Sequence, residues 1–400
     1  MRAITAAGLC TPLEYIHDPV LLIDNGIITA MGPSGAVAIP PSIPVHSFPE
    51  AVLVPGFVDM HIHGAAGYDV MEATPKTLNA IERFLAAHGV TGYCPTTITA
   101  PVDLTLSVLD QLADWIERRG KNREPQAVPL GIHMEGPFLS HEKRGVQPEK
   151  YLLDASVGLF RRFWDAARGH LLVITIAPEI PGALEVIREA AKLGVTVSLG
   201  HSDATSEITN AAIVAGARHA THTFNGMRPL NHRDPGILGT VLTSDVLTAE
   251  IIADGVHVIP SIVSLFVRAK GVERTVLVTD AIAATGMPDG SYKLGTLEVQ
   301  VQRSVCLSRD GHLAGSVLTL DRAIRNVMEF TGCALREAVR FVTLNPARVL
   351  GCGARKGSLQ IGADADVAVM APNGDVIHTM IRGVEIEAIA MIRQRRSEQS

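Results

Sequence analysis

The sequence predicts an α/β fold: a (β/α)8 TIM-like barrel with a small β-sandwich domain built from both chain termini. Two observations predict it. From residue 53 to about residue 280, short apolar, β-branched runs alternate with helical patterns. Strands alternating with helices imply βαβ units and a parallel sheet, and eight such units favour a closed barrel over an open sheet. The flanks break this rhythm and carry strand-like runs without a convincing long helix. The expected division is therefore 1–52 with 355–400 as the small β domain, and 53–354 as the barrel.

The elements follow in order. The first strand is the run LVPGFVD, residues 53–59. A helix over 75–88 places Ile81, Phe84, Leu85 and His88 on one face and stops at Gly89, which suits a C-cap. Strand 90–97, helix 102–118 and strand 128–134 come next. Helix 155–168 leads to strand 171–177. Helix 183–193 stops at Gly194 before strand 195–199, and helix 206–215 stops at Gly216 before strand 217–221. Strand 249–253, helix 261–269 and strand 275–279 complete the set. The stretch 281–316 reads as an inserted β-hairpin, with alternating Leu297, Val299 and Val301 and a turn at Asp310–Gly311. Helical patterns over 320–330 and 335–344 follow. Strand-like runs at 20–25, 366–370 and 384–389 furnish the flanking domain.

Composition narrows the function classes. The 400 residues are 47% apolar and 19% charged, enough for a large core and too apolar for general disorder. A net charge of −6 gives no basic excess to recommend a nucleic acid partner. No run of about 18 apolar residues predicts a membrane span, and residues 1–16 lack the pattern of a signal peptide. Five cysteines without a CxxC fit a reduced, cytoplasmic compartment. Trp115 and Trp164 fall on helical faces as packing anchors. The short basic cluster at 393–396 reads as a solvated end.

The chain has 15 histidines, and their placement matters more than their number. His61 and His63 follow strand one, Glu135 follows strand three, His201 strand five, His222 strand six and Asp280 strand eight. Barrel enzymes assemble their sites at these strand ends. A lone histidine there more often packs or faces solvent. Six N/O ligand types at one barrel face are hard to obtain by accident. The His-x-His pair leaves one face of its strand, so both rings can reach a common ion. Imidazole and carboxylate suit a divalent metal: zinc first, with iron, manganese or cobalt also accepted. A carboxylate such as Glu135 can bridge two ions, and Asp280 is placed to take a proton from a water that a metal has acidified. His133, two residues before Glu135, reads as a neighbour of the ligands.

The chain resembles the amidohydrolase superfamily and, within it, the N-acetylglucosamine-6-phosphate deacetylase family. The likeness rests on PGFVDMHIHG, HMEGPFLSHEKRG, SLGHSDAT, THTFNGMRPLNHRDPG, IIADGVHV and LVTDA, with AGSVLTLDRAIRN, LNPARVLG and GSLQIGADADVAV further on, and covers nearly the whole chain. It implies a hydrolytic deacetylase in which Glu135, His201 and His222 hold one divalent metal. His61 and His63 match positions that hold a second ion in some members, giving one or two ions per subunit. Asp280 matches the general base and acid. The resemblance also implies a small-molecule amino-sugar phosphate as substrate and a homodimer.

Further residues carry over by the same likeness. Arg233 alone reads as a solvent-exposed loop arginine, but it matches a phosphate-binding arginine supplied to the neighbouring subunit, and a guanidinium suits bidentate phosphate recognition. Asn225 and Gly226 match residues that meet the phosphate through side chain and backbone N–H. His257 matches a sugar-hydroxyl or phosphate contact; otherwise it is a helix-start histidine near Pro260. Leu313, Ala314 and Gly315 match a segment lining the sugar pocket and could equally be a turn. Gln147 departs from the pattern, because some relatives carry histidine there to hold the acetyl carbonyl. Glutamine donates a hydrogen bond but cannot become cationic. The implied reaction has Asp280 deprotonating water for attack on the acetamide carbonyl and then protonating the departing amine.

Three rivals remain at this point. A cyclic-amide hydrolase would need a lysine after strand four, where the chain reads IAPE, or Cys94 as a ligand in an acyl-amino-acid hydrolase. A non-catalytic relative would have lost ligands. A deacetylase for N-acetylgalactosamine 6-phosphate differs only in the orientation of one hydroxyl, which no residue type decides.

Overall fold

The computed structural model describes residues 1–121 and 124–387. Eight barrel strands run β1 (Phe57–Ile62), β2 (Val90–Thr97), β3 (Ile132–Glu135), β4 (Leu171–Ile176), β5 (Thr196–Leu199), β6 (His219–Ala220), β7 (Thr248–Ile251) and β8 (Thr275–Leu277). Each pairs in parallel with the next, from Phe57↔Val90 in the first ladder to Ala249↔Thr275 in the last. The ring closes at the C-terminal rim. There Ile62 bridges Ala281, and the Asp280 amide donates to the His61 carbonyl at 3.0 Å. Burial on both faces explains why the strands read as continuous apolar runs.

The outer helices are α1 (Pro75–Ala87), α2 (Val102–Lys121), α3 (Val157–Ala166), α4 (Ala183–Lys192), α5 (Ser206–Ala215), α6 (Gly236–Thr243), α7 (Pro260–Lys270), α8 (Leu320–Thr331), α9 (Leu335–Val342) and α10 (Leu344–Val349). Local chemistry sets their starts. Thr74 caps α1 by accepting from the Thr77 amide, with Pro75 in the first turn, and Ser156 and Thr205 cap α3 and α5 in the same way. Trp115 anchors α2 beneath α1, where its indole N–H donates to the buried Glu82 at 2.6 Å.

Four elements differ from expectation. α6 fills the gap left between strands six and seven; Gly236 and Gly239 inside it mask the helical signal. The helix expected over 335–344 breaks at Thr343, whose φ of −129° and ψ of −84° separate α9 from α10. The strand expected over 128–134 is interrupted, with Val128–Pro129 and Ile132–Glu135 as separate pieces. The hairpin after β8 is a three-stranded antiparallel meander, Gly290–Leu294, Leu297–Gln302 and Val305–Ser308.

Strands from both termini form a second sheet of eight strands. Arg2–Cys10 lies parallel to Val45–Pro55 at its centre, and Val367–Met370 continues antiparallel from Val52 to Pro55. The run expected as the first barrel strand is therefore shared: residues 53–55 end the terminal sheet, and β1 starts at Phe57. One face packs on Ile4, Leu9, Leu21, Leu53, Val367 and Met380. The edge strand Ile27–Pro33 returns to the segment leading into Val367, with the Ile28 amide donating to Ala363 at 3.0 Å. Val384–Glu387 ends this sheet; residues 388 and 389 of the expected strand, and the cluster at 393–396, lie outside the described residues. No helix among the described residues is long and apolar enough to cross a membrane.

Candidate metal centre and active site

The strand ends deliver the polar side chains to one cleft. His61 is the penultimate residue of β1 and His63 follows the strand; Glu135 ends β3; His201, His222 and Asp280 lie just beyond β5, β6 and β8. Glu135 Oε1, His201 Nε2 and His222 Nε2 form a triangle with sides of 3.2, 3.1 and 3.1 Å. Donors at about 2.0–2.1 Å from a tetrahedral ion stand roughly 3.3 Å apart, so the triangle has the dimensions of one face of such a centre.

A second group adjoins it. His61 Nε2 and His63 Nε2 are 3.3 Å apart, and Asp280 Oδ1 lies 3.6 Å from the first and 3.2 Å from the second. Glu135 reaches both groups: its Oε1 faces His201 and His222 while its Oε2 lies 3.4 Å from His63 Nε2. The two groups are His/carboxylate clusters of the kind that can hold metal ions.

The rings are turned for this purpose. His63 Nδ1 lies 3.1 Å from the Thr96 carbonyl and His201 Nδ1 lies 2.9 Å from the Lys143 carbonyl. A carbonyl can only accept, so each Nδ1 carries the proton and each Nε2 faces the cleft. His61 Nδ1 faces Glu250 Oε2 at 2.9 Å. His222 Nδ1 is buried without a hydrogen-bond partner.

Electrostatics point the same way. Burial pushes His61 down, yet the carboxylates of Glu250 and Glu135 outweigh it and carry its pKa up to about 9. His63 rises to about 10 against burial through hydrogen bonds to Asp280 and Glu135. Burial alone would raise Glu135, Glu250 and Asp280, but the surrounding imidazoles hold all three below the usual carboxylate range. Three buried carboxylates among converging imidazole nitrogens demand compensating cations, supplied by protons or by a metal.

His133 stands beside the ligands with both nitrogens engaged, by the Met60 carbonyl at 3.2 Å and the Thr175 hydroxyl at 2.7 Å. Burial lowers its pKa to about 3, so it remains neutral packing under His61.

The cleft, about 760 Å³ and open to solvent, contains most of the residues expected around a substrate. Gln147, Asn225, Gly226, His257, Leu313 and Gly315 line it. Gln147 is turned to the carboxylate: its amide nitrogen donates to Glu135 Oε2 at 2.7 Å and its oxygen accepts from the Thr99 amide at 2.9 Å. Asn225 donates to the His222 carbonyl at 3.2 Å. His257 Nδ1 lies 2.7 Å from Asp254 Oδ2, which raises its pKa against burial. Ala314 is fully buried, packed in the core of the meander, and does not line the cleft. Arg233 is exposed and does not line the cleft of its own chain. No Lys or Arg appears among the lining residues described.

Two features escaped the sequence reading. Glu250 is fully buried on β7 and contacts His61; its only signal was a carboxylate inside the apolar run TAEIIA. His312, with Leu294 and Leu297, brings the meander over the cleft, and nothing in the sequence marked it. Cys94 is packed into the barrel core.

A parallel barrel with histidines and carboxylates gathered at its C-terminal rim defines a metal-dependent hydrolase. The chain belongs to the amidohydrolase family, whose match covers residues 52–386. Within that family it is 37% identical to the N-acetylglucosamine-6-phosphate deacetylase of Bacillus subtilis (strain 168), over 94% of each chain. It is 38% identical to the N-acetylgalactosamine-6-phosphate deacetylase of Escherichia coli O157:H7, over 96% of this chain and 98% of the relative. The crystal structure of N-acetyl-D-glucosamine-6-phosphate deacetylase from Mycobacterium smegmatis superposes with a TM-score of 0.90 at 34% identity, covering 96% of this chain and all of that one (100%).

Proposed function

We propose that the chain hydrolyses the acetamide of N-acetylglucosamine 6-phosphate, giving glucosamine 6-phosphate and acetate. The observation that carries this reading is that two adjoining His/carboxylate clusters, Glu135 with His201 and His222 and Asp280 with His61 and His63, sit at one cleft, in a chain similar over nearly its whole length to such deacetylases. Glu135, His201 and His222 would hold one divalent cation, and His61 and His63 a second, with zinc the first choice. A bound cation would supply Lewis acidity, acidifying water and polarising the acetamide carbonyl. Asp280, held ionised among the imidazoles, takes the proton of the attacking water and returns it to the departing amine. Gln147 steadies Glu135, and any help it gives the carbonyl comes from its remaining N–H.

The phosphate end is bound by Asn225 and the Gly226 backbone, with His257 contacting the phosphate or a sugar hydroxyl, while Leu313 and Gly315 bound the sugar and Ala314 supports them from the meander's core. Because no Lys or Arg lines the cleft among the described residues, Arg233 completes the phosphate site from the second subunit of a homodimer. The expected boundary after residue 52 moves to residue 55, so that residues 56–354 carry the chemistry and 1–55 with 355–387 form the flanking unit, in a cytoplasmic enzyme with neither nucleic acid nor membrane as partner.

Acetate release from a panel of N-acetylated sugars and their 6-phosphates tests the assignment. The gluco 6-phosphate should give the highest kcat/KM, and the unphosphorylated sugar should fall by on the order of 100-fold or more. No acetate from any amino-sugar phosphate would overturn it. A higher value on the galacto epimer would select the second reading, which the Escherichia coli relative favours. Asp280→Asn should lower kcat by about 1,000-fold and leave KM within a few fold.

A further inference from the structure

Glu250 has no part in the chemistry above, yet it is fully buried inside the barrel. It lies on β7, whose hydrogen-bonded neighbours are β6 and β8. Its side chain nevertheless reaches past β8 to β1, where Oε2 stands 2.9 Å from His61 Nδ1. The same oxygen accepts the His222 backbone N–H at 3.0 Å, and Oε1 lies 3.1 Å from His219 Nε2. One carboxylate thus joins a donor from each cluster. His63 and His201 are oriented by neutral carbonyls, whereas His61 faces a full negative charge. A carboxylate on the distal nitrogen fixes the tautomer and ring angle and raises the basicity of the ligating nitrogen.

We infer that Glu250 is a positioning residue: it holds the His61 proton on Nδ1, presents Nε2 to the second cluster, and so sets that cluster's affinity for a cation. The effect on affinity rests on the reading that His61 and His63 hold a second ion.

Two measurements on the full-length protein test it. The first is the proton resonance of His61 Nδ1–H in the zinc-loaded protein, assigned by its loss in His61→Asn. A hydrogen bond to a carboxylate places it far downfield. It should move upfield but persist in Glu250→Gln, whose amide oxygen can still accept, and disappear in Glu250→Ala. An unchanged resonance in Glu250→Ala overturns the inference, whatever the metal content. The second is zinc bound per subunit, titrated calorimetrically. Glu250→Ala should weaken the second ion by on the order of 10–100-fold and spare the first, with Glu250→Gln in between. Equal affinity for the second ion in all three proteins also overturns it. A wild-type protein that takes up one zinc only refutes the two-ion reading and the affinity effect, while the resonance still decides the positioning role.

Discussion

Three residues at the cleft leave their strands in the left-handed region: His201 at φ +48°, His222 at +24° and Asp280 at +49°. Such backbone costs about 1–3 kcal/mol per residue and persists where surrounding contacts over-determine it. Here the turn swings each side chain from the strand end into the barrel mouth. Two glycines make room for it. Gly315, at φ +59°, lies where a Cβ would stand 3.0 Å from the Asp280 carbonyl. Gly226, at φ +60°, lies where a Cβ would stand 2.8 Å from His201 Nδ1 and 3.0 Å from the Lys143 carbonyl that orients it. Gly226→Ala should therefore disturb the first cluster through that hydrogen bond. Retained divalent metal after chelator dialysis should fall, with affinity lower by on the order of 10–100-fold, while unfolding free energy drops by only about 1–2 kcal/mol.

The helix ring is closed by a contact between its first and eighth members. His88, at the C-cap of α1, meets Asp321, in the first turn of α8, at 3.2 Å. Burial would raise the Asp321 carboxyl, but the hydrogen bond and charge of His88 bring it from 3.8 to about 2. A carboxyl depressed on folding stabilises the native state above its unfolded pKa and loses that contribution as the pH falls through the folded value. That contribution declines between roughly pH 4 and pH 2. Urea unfolding across this range should show Asp321→Asn missing that acid-dependent increment. Equal pH slopes for the two proteins would refute it. α6 illustrates the opposite case in sequence terms, since its two glycines conceal a helix that forms because its apolar face is buried against the barrel.

The proposed homodimer makes the phosphate end of the cleft testable at the scale of assembly. If Arg233 serves a neighbouring active site, Arg233→Ala and Asp280→Asn are each impaired alone but complementary in a mixed dimer. A subunit with intact Asp280 would then receive Arg233 from its Asp280→Asn partner. Subunit exchange between the two inactive proteins should restore about a quarter of wild-type activity at equal mixing, as random pairing of subunits requires. Activity that stays at the sum of the separate variants would place the arginine elsewhere. The terminal sheet contributes no lining residue to the cleft, so truncations there should be read as effects on folding before effects on chemistry.

Much of this was legible in one dimension. The alternation of buried strands and outer helices is local, so it specified the barrel. The positions just after each strand are local too, so His61, His63, Glu135, His201, His222 and Asp280 could be placed at one rim. Tertiary structure decided what depends on distant segments meeting. Glu250 joins His61 across 189 positions, Gln147 turns to Glu135 rather than standing free, and Ala314 packs inward while Leu313 and Gly315 face the cleft. Those outcomes depend on which donor finds which acceptor once water is excluded, and strand periodicity carries no record of that pairing.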